Sequence, residues 1–331
     1  MKDFMIIPAV LNMFDGNLNV QTTGTAGLSD EMKTYYSDYL IDNAKPNLVH
    51  DQFGQKHPIP KNGGKKIQFR KWKPFTKATT PLKEGITPDG GSLEVTVLES
   101  TVAQYGYYVT LSDILQLTAL DNTLVEATKL LGGQAGSTMD TITREVLNGG
   151  TSVMYSGGKE ARAALAEGDK LTVDDIFKAA RFLKKQNAPK INGSYVAIIH
   201  PDVAYDLMRN EEWVDVHKYS ATSEIFEGEI GKIAGVRFVE TTEAKIFAGG
   251  GSGSRDVYST LVLGANAYGV TELTGGGLQH IVKQLGSAGT ADPLNQRATA
   301  GWKGTKAAEI LVDNYMIRIE SASTFNEGTA N

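Results

Sequence analysis

The stretch from residue 58 to residue 110 restricts the fold more than any other part of the sequence. KKIQFRKW at 65–72 alternates as a strand does, and Leu93, Val95 and Val97 alternate again in SLEVTVL. Between them lies PFTKATTPLKEGITPDGG, polar and punctuated by Pro and Gly. The expected shape is two long antiparallel strands with an extended tip. A lone two-stranded hairpin has too little core to stand by itself in water. It needs a partner surface, and that need is the first clue to function.

Charge sharpens the clue. Lys61, Lys65, Lys66, Arg70, Lys71 and Lys73 make the first strand region basic, while Glu94 and Glu99 lie on the second. Opposite charges across a strand pair add roughly 0.2–1 kcal/mol each. Phe69 and Trp72 interleave with the bases, which also suits nucleic acid. The basic residues are confined to one hairpin, however, and the chain as a whole carries a net charge of −5. An intersubunit protein contact through Lys65, Lys66, Arg70, Lys71, Lys73, Glu94 and Glu99 is therefore the favoured reading.

Length and composition set the remaining bounds. A chain of 331 residues can bury a large core and suggests about two domains. It has no cysteine, so disulfides and thiolate metal sites are excluded. No apolar run reaches the roughly 18 residues of a membrane span. Residues 1–17 lack the apolar core and cleavage site of a signal peptide.

The rest of the chain reads as mixed α and β. Residues 1–27 are rich in Asn, Thr and Gly with scattered apolar anchors, as expected of an arm that orders by lying on something else. A helix is expected from Ser29, whose first turn holds Asp30 and Glu31, and Pro46 stops it. A long helix follows the hairpin. Leu120, Leu124, Leu131, Ala135, Met139, Ile142 and Val146 recur on one face, Gly132–Gly133 interrupt it, and Asn148-Gly149-Gly150 end it. Thr172 caps a second helix over 173–186. Strands are expected at 195–199, 236–240, 257–263, 267–273, 278–285 and in a long run over 307–323. The tail after Phe325 is polar and expected to be loose.

Nothing in this pattern makes a catalytic site. GGGSGS at 249–254 lacks the Lys of a phosphate-binding loop and reads as a surface turn. His50, His57, His200, His217 and His280 form no pair at metal-ligand spacing. Asp174 and Asp175 fit dipole compensation in the first turn of a helix. No G-x-S-x-G elbow is present. The expectation is a protein without enzyme activity, cofactor or metal.

Four stretches in order carry a family resemblance: PLKEGITPDGGSLEVTVLESTVAQYGYYVTLSDIL, VAIIHPDVAYDLM, GEIGKIAGVRFVET and DPLNQRATAGWKGTKAAEILVDNYMIRIESAS. Together they resemble the major capsid proteins of tailed phages related to coliphage N-four, over roughly residues 75–322. The resemblance implies the Hong-Kong-97-like capsid fold, an α+β architecture with an N-terminal arm, an extended β-hairpin loop, a long spine helix, and peripheral and axial domains. Mapped here, the arm and first helix take 1–57, and the extended loop takes 58–110. The spine helix and part of the peripheral domain take 111–189, the axial domain 190–265, and returning peripheral strands with the tail 266–331.

By the same resemblance, many copies assemble into hexamers and pentamers of an icosahedral shell around double-stranded DNA. The expected location is the virion, after assembly in the bacterial cytoplasm. A portal, a separate scaffolding protein and a decoration protein are the expected partners. The wider fold includes shells cross-linked through Lys and Asn. Lys66, Lys71 and Lys83 are suitably placed, but nothing marks an acceptor, and no cross-link is expected. Two alternatives stay open: an encapsulin-like nanocompartment shell of the same fold, and a carbohydrate-binding or tail-associated surface protein.

Overall fold

A computed structural model describes residues 48–58, 66–72, 75–82, 84–85, 87, 90–118, 123–218, 231–272, 278–287 and 292–331. The expected arm and first helix lie outside these residues, as do Lys61, Lys65, Lys73 and Lys83.

The largest unit is a mixed sheet. Its strands are β5 (Val153–Tyr155), β6 (Tyr195–Ile199), β7 (Lys232–Ile233), β8 (Val236–Glu240), β9 (Ile246–Phe247), β10 (Val257–Leu263) and β15 (Met316–Ser321). They lie in the order β5-β15-β10-β6-β8-β7, with β9 alongside β10. Every residue of β6, β10 and β15 is buried. That explains the near-continuous apolar run YVAII of β6, since a strand covered on both faces has no need to alternate.

One face of the sheet is covered by three helices. These are α3 (Val173–Lys185), α4 (Pro201–Met208) and α5 (Glu211–Lys218). Helix α3 buries Val173, Ile176, Ala179, Ala180 and Leu183, the spacing of a single helical face. Its start is a reciprocal cap. The Thr172 hydroxyl accepts from Asp175 N–H, and the Asp175 carboxylate accepts from Thr172 N–H at 3.2 Å. Asp174 pairs with Lys178 at 2.6 Å, one turn on. His200 caps α4, its Nδ1 accepting from Asp202 N–H at 3.2 Å, with Pro201 in the first turn. His200 thus stands at the junction of β6 and α4, where its ring serves as the helix cap.

The second unit is built on α2 (Thr123–Asn148), a single 26-residue helix. It packs on an antiparallel sheet of β12 (Leu278–Lys283), β13 (Arg297–Lys306) and β4 (Ala103–Ser112), with β13 central. Leu131, Ala135 and Met139 meet Leu278, Ala300 and Trp302 across this interface. The expected apolar face is therefore present, although Ile142 and Val146 are only partly buried. Leu120 and the side chain of Leu124 lie outside the described residues. Helix α2 runs through Gly132–Gly133 as one element. Leu131 is 3% exposed. Leu131→Asp would place an unpaired charge there, which is strongly disfavoured. We expect the variant to be insoluble on expression, and a soluble, assembling Leu131→Asp would refute the assignment of this face.

Two expectations need correction here. Residues 103–110 do not belong to the extended loop, because β4 pairs with β13 along its whole length, from Ala103↔Lys306 to Ser112↔Arg297. The long run expected over 307–323 is two strands in different sheets, β14 (Ala308–Ile310) and β15, separated by a 3₁₀ turn at Asp313–Tyr315. Packing also ignores the boundaries drawn at 189/190 and 265/266. Helix α3 and strand β15 share one core with β6, β8 and β10.

A small sheet joins the two units. Strand β1 (Gln55–His57) lies parallel to β11 (Tyr268–Thr271), and β14 lies on the other side of β11. Just before β1, residues 48–53 are clasped by buried polar contacts. His50 N–H donates to Asp140 Oδ1 at 2.7 Å, and its ring Nδ1 lies 2.6 Å from Asp140 Oδ2. The Thr143 hydroxyl donates to Asp51 Oδ1 at 2.6 Å. Lys306 pairs with the other Asp51 oxygen, and the Tyr268 hydroxyl donates to the His50 carbonyl. Helix α2, strand β13 and strand β11 are thus tied to one short segment.

Candidate assembly surfaces

Of the hairpin foreseen within 58–110, the strand pair is present. Strand β2 (Lys66–Trp72) pairs antiparallel with β3 (Val95–Thr101), in register from Lys66↔Thr101 to Trp72↔Val95. Residues directly opposite share a face, so the hairpin has two distinct sides. Ile67, Phe69, Leu98 and Ser100 form the inner side, and all but Leu98 are buried. Phe69 makes an edge contact with His57, ring centres 4.8 Å apart, and lies over Gly269 of β11. A Cβ at Gly269 would come within 2.4 Å of the Phe69 ring, so glycine there gives the hairpin its seat. The root of the hairpin therefore borrows core from its own subunit.

Among the described residues, the outer side has no such cover. Near the root it carries Lys66, Gln68, Glu99 and Arg70, all exposed. Lys66 donates to Glu99 at 2.8 Å and Gln68 donates to the other Glu99 oxygen at 3.0 Å. The hydrogen bond between them raises the Lys66 ammonium above its ordinary range and holds the Glu99 carboxyl below its own. Toward the tip the side becomes apolar. Trp72, Val95 and Val97 are 59%, 39% and 46% exposed. Phe75, Leu82 and Leu93 are exposed beyond them.

Of the residues singled out in the sequence, Lys66 and Glu99 come together as an ion pair, and Arg70 stands opposite Val97 on the same side. Lys71 faces Thr96 in register, and exposed Glu94 precedes β3. The apolar outer side was the part not singled out, and the alternation of Trp72, Val95 and Val97 was its available signal.

A second exposed face belongs to the β12–β13–β4 sheet, on the side away from α2. Tyr108, Gly301 and Ile281 line up across the three strands, with Tyr108 and Ile281 exposed. Lys283 and Lys303 flank them. A Cβ at Gly301 would meet Tyr108 Cβ at 2.8 Å, which keeps the floor of this face bare.

The features weighed for chemistry have structural occupations. His50 is held by Asp140, and His57 packs on Phe69. In the loop at 249–254, Gly251 N–H donates to Arg255 O and Ser252 N–H to Leu165 O, each at 2.8 Å. Among the described residues, no group of three or more His, Asp or Glu is placed to hold a metal ion. No described helix is long and apolar enough to cross a membrane.

A family model described as phage capsid protein matches residues 109–285. No curated protein matches the chain. Among solved structures, the capsid of Ralstonia phage GP4 is similar at 16% identity and a TM-score of 0.63, covering 79% of this chain and 84% of that one. The capsid of cyanophage P-SCSP1u is similar at 15% identity and a TM-score of 0.64, covering 83% and 88%. The holo-SrpI encapsulin of Synechococcus elongatus is similar at 12% identity and a TM-score of 0.56, covering 86% and 91%.

Proposed function

The chain belongs to the phage capsid protein family, and from that premise we infer that its copies assemble through the β2–β3 hairpin into the closed head of a tailed bacteriophage. The chain is a major capsid protein with the Hong-Kong-97-like fold, and its place is the virion. The observation that carries the assembly reading is the outer side of the hairpin, where Trp72, Val95 and Val97 stand uncovered beside Lys66 and Arg70. Covering large apolar side chains stabilises by roughly 1.5–3 kcal/mol each. A neighbouring subunit supplies that cover, and its acidic surface meets the basic residues of this segment, Lys65, Lys66, Arg70, Lys71 and Lys73, with Glu94 and Glu99 aligning the contact.

In this shell the unit on the seven-stranded sheet takes the axial position, and α2 with the β12–β13–β4 sheet takes the peripheral one. Subunits form hexamers and pentamers in the host cytoplasm on a separate scaffolding protein, around a portal, and enclose double-stranded DNA without reading its sequence. A decoration protein completes the outer surface. The role is structural rather than enzymatic. An encapsulin shell shares the fold, but the family match is to phage capsid proteins, and it favours the phage head over both the nanocompartment and a glycan-binding surface protein.

Electron microscopy of the overexpressed protein, with and without a candidate scaffold, is expected to show closed shells. A monomer under every condition would overturn the reading. Charge at the hairpin gives a finer test. Arg70→Glu with Lys71→Glu should reduce the yield of DNA-free particles, most of all at low salt. There the new repulsion is least screened, since the Debye length is about 8 Å at physiological ionic strength and longer below it. Unchanged yield at every salt concentration, with DNA retention lost instead, would assign the cluster to the genome.

A further inference from the structure

The polar tail after Phe325 is not loose, and the way it is held points to a device. It is fixed at three places along its length. Asp206 of α4 accepts from the Ser323 hydroxyl and from Thr324 N–H, both at 2.8 Å, and Lys170 donates to the Thr324 hydroxyl at 2.7 Å. Asp256, 2% exposed, accepts from Gly328 N–H at 2.7 Å, while its own N–H donates to the Asn326 side chain at 2.9 Å. Asn331 fills a socket at the turn before β9. Its carboxamide accepts from Ile246 N–H at 3.0 Å and donates to Thr242 O at 3.0 Å and Ala244 O at 2.6 Å.

The socket reaches the long helix. Arg144 of α2, 2% exposed, donates to Glu243 O and to Asn331 O, each at 2.9 Å. Residue 331 therefore sits where the C-terminal half of α2 meets the seven-stranded sheet. Phe325 adds a single ring contact, on Tyr205 at 5.4 Å. The tail residues from 324 onward are exposed. The segment is thus bound almost wholly by hydrogen bonds, among them contacts to the buried residues Arg144, Ala244, Ile246 and Asp256.

We propose that residues 323–331 are a strap that opens and closes as one unit, with Asn331 as its latch, locking α2 to the seven-stranded sheet. The three anchors follow each other without an apolar core between them, so no step of partial peeling has a stable stopping point. Opening strips Asp206 and Asp256 of their tail partners and takes one acceptor from Arg144. Asp206 keeps Lys170 at 3.4 Å and Asp256 keeps Gly249 N–H at 2.9 Å, but losing hydrogen bonds to charged groups this well covered is costly, which favours all-or-none closure over independent contacts. Segments with exposed backbone and little apolar burial are also where sub-global opening begins.

Hydrogen exchange on the full-length protein tests this. Asn331→Leu removes all three carboxamide hydrogen bonds. The expected result is at least tenfold faster exchange at Ile246, Gly328 and Thr324 together, with β6 and β10 unchanged. Acceleration confined to Ile246, or none, would overturn the strap. If the variant loosens β10 as well, the wild-type protein in rising denaturant decides. There the amides of Ile246, Gly328 and Thr324 must share one opening free energy, below that of β10, and three separate values refute the proposal. The readout lies within one subunit, so it stands or falls separately from shell assembly.

Discussion

Lys306→Met is expected to destabilise the subunit by about 3–5 kcal/mol, the usual cost of removing one partner from a buried ion pair. Against a typical total stability of about 5–15 kcal/mol, that loss is large. Lys306 is 1% exposed and Asp51 7%. With the ammonium gone, the Asp51 carboxylate keeps, among the described residues, the Thr143 hydroxyl 2.6 Å away. The segment that carries it also loses its tie to β13, while His50 still holds Asp140 of α2. The midpoint of thermal unfolding should fall by roughly 4–7 °C. The double variant Lys306→Met with Asp51→Leu should recover most of the loss, because apolar residues of similar volume replace buried ion pairs at little net cost. A single variant within about 1 kcal/mol of wild type would show that the clasp contributes little. A double variant no better than the single one would show that Asp51 is needed for more than charge balance.

Deletion of residues 76–90 is expected to abolish shells while leaving the subunit folded. The described residues of that stretch are all exposed, and none belongs to a core cluster. The root keeps Ile67 and Phe69 buried, and Ser100 Oγ still reaches Ala308 O at 3.4 Å. The cut also closes easily, since an ideal Cβ at Gly91 lies 3.4 Å from the ring of Phe75. Circular dichroism should therefore be near native. What disappears is the exposed tip, with Leu82 at 77% exposure and the polar residues around it. Small contacts repeated around a closed shell decide whether it forms. Normal particles from the deletion would remove the hairpin from the assembly mechanism. Aggregated protein would instead mean that the tip protects the subunit's own apolar surface.

The hairpin was legible because strand side chains alternate with period two, and Ile67 and Phe69 kept that rhythm beside Lys66, Gln68 and Arg70. Helix α2 was legible from Leu131, Ala135 and Met139. Its buried face also carries Thr128, Asp140, Thr143 and Arg144, which an apolar count passes over. Asp140, Thr143 and Arg144 have partners at His50, Asp51, Glu243 and Asn331, far away in sequence, and nothing local announces those contacts. Strand β13 was missed altogether. RATAGWKGTK has two glycines and three basic residues, a poor strand by composition. Gly301 is there because Tyr108 of the neighbouring strand leaves no room for a side chain, and only pairing with β4 reveals it. The tail was misread for a related reason. Thr, Asn, Glu and Gly look like a frayed end, yet the same groups are good hydrogen-bond formers when Asp206 and Asp256 are waiting for them.

The position of β15 bears on how the subunit is made. This strand, the last of the described strands in sequence order, does not add to the edge of the seven-stranded sheet. It lies between β5 and β10, and the register ties Arg318 to Val153 on one side and Ile319 to Thr260 on the other. Strands β4 and β1 likewise wait for β13 and β11. On the ribosome, the seven-stranded sheet cannot close until residues 316–321 have been made. Pairings this distant are slow to form and leave edges open to aggregation meanwhile. A nascent chain stalled before residue 316 exposes β10 as a bare edge instead of a closed sheet, so interrupted synthesis leaves a substrate for chaperones and proteases rather than a defective tile in the growing shell.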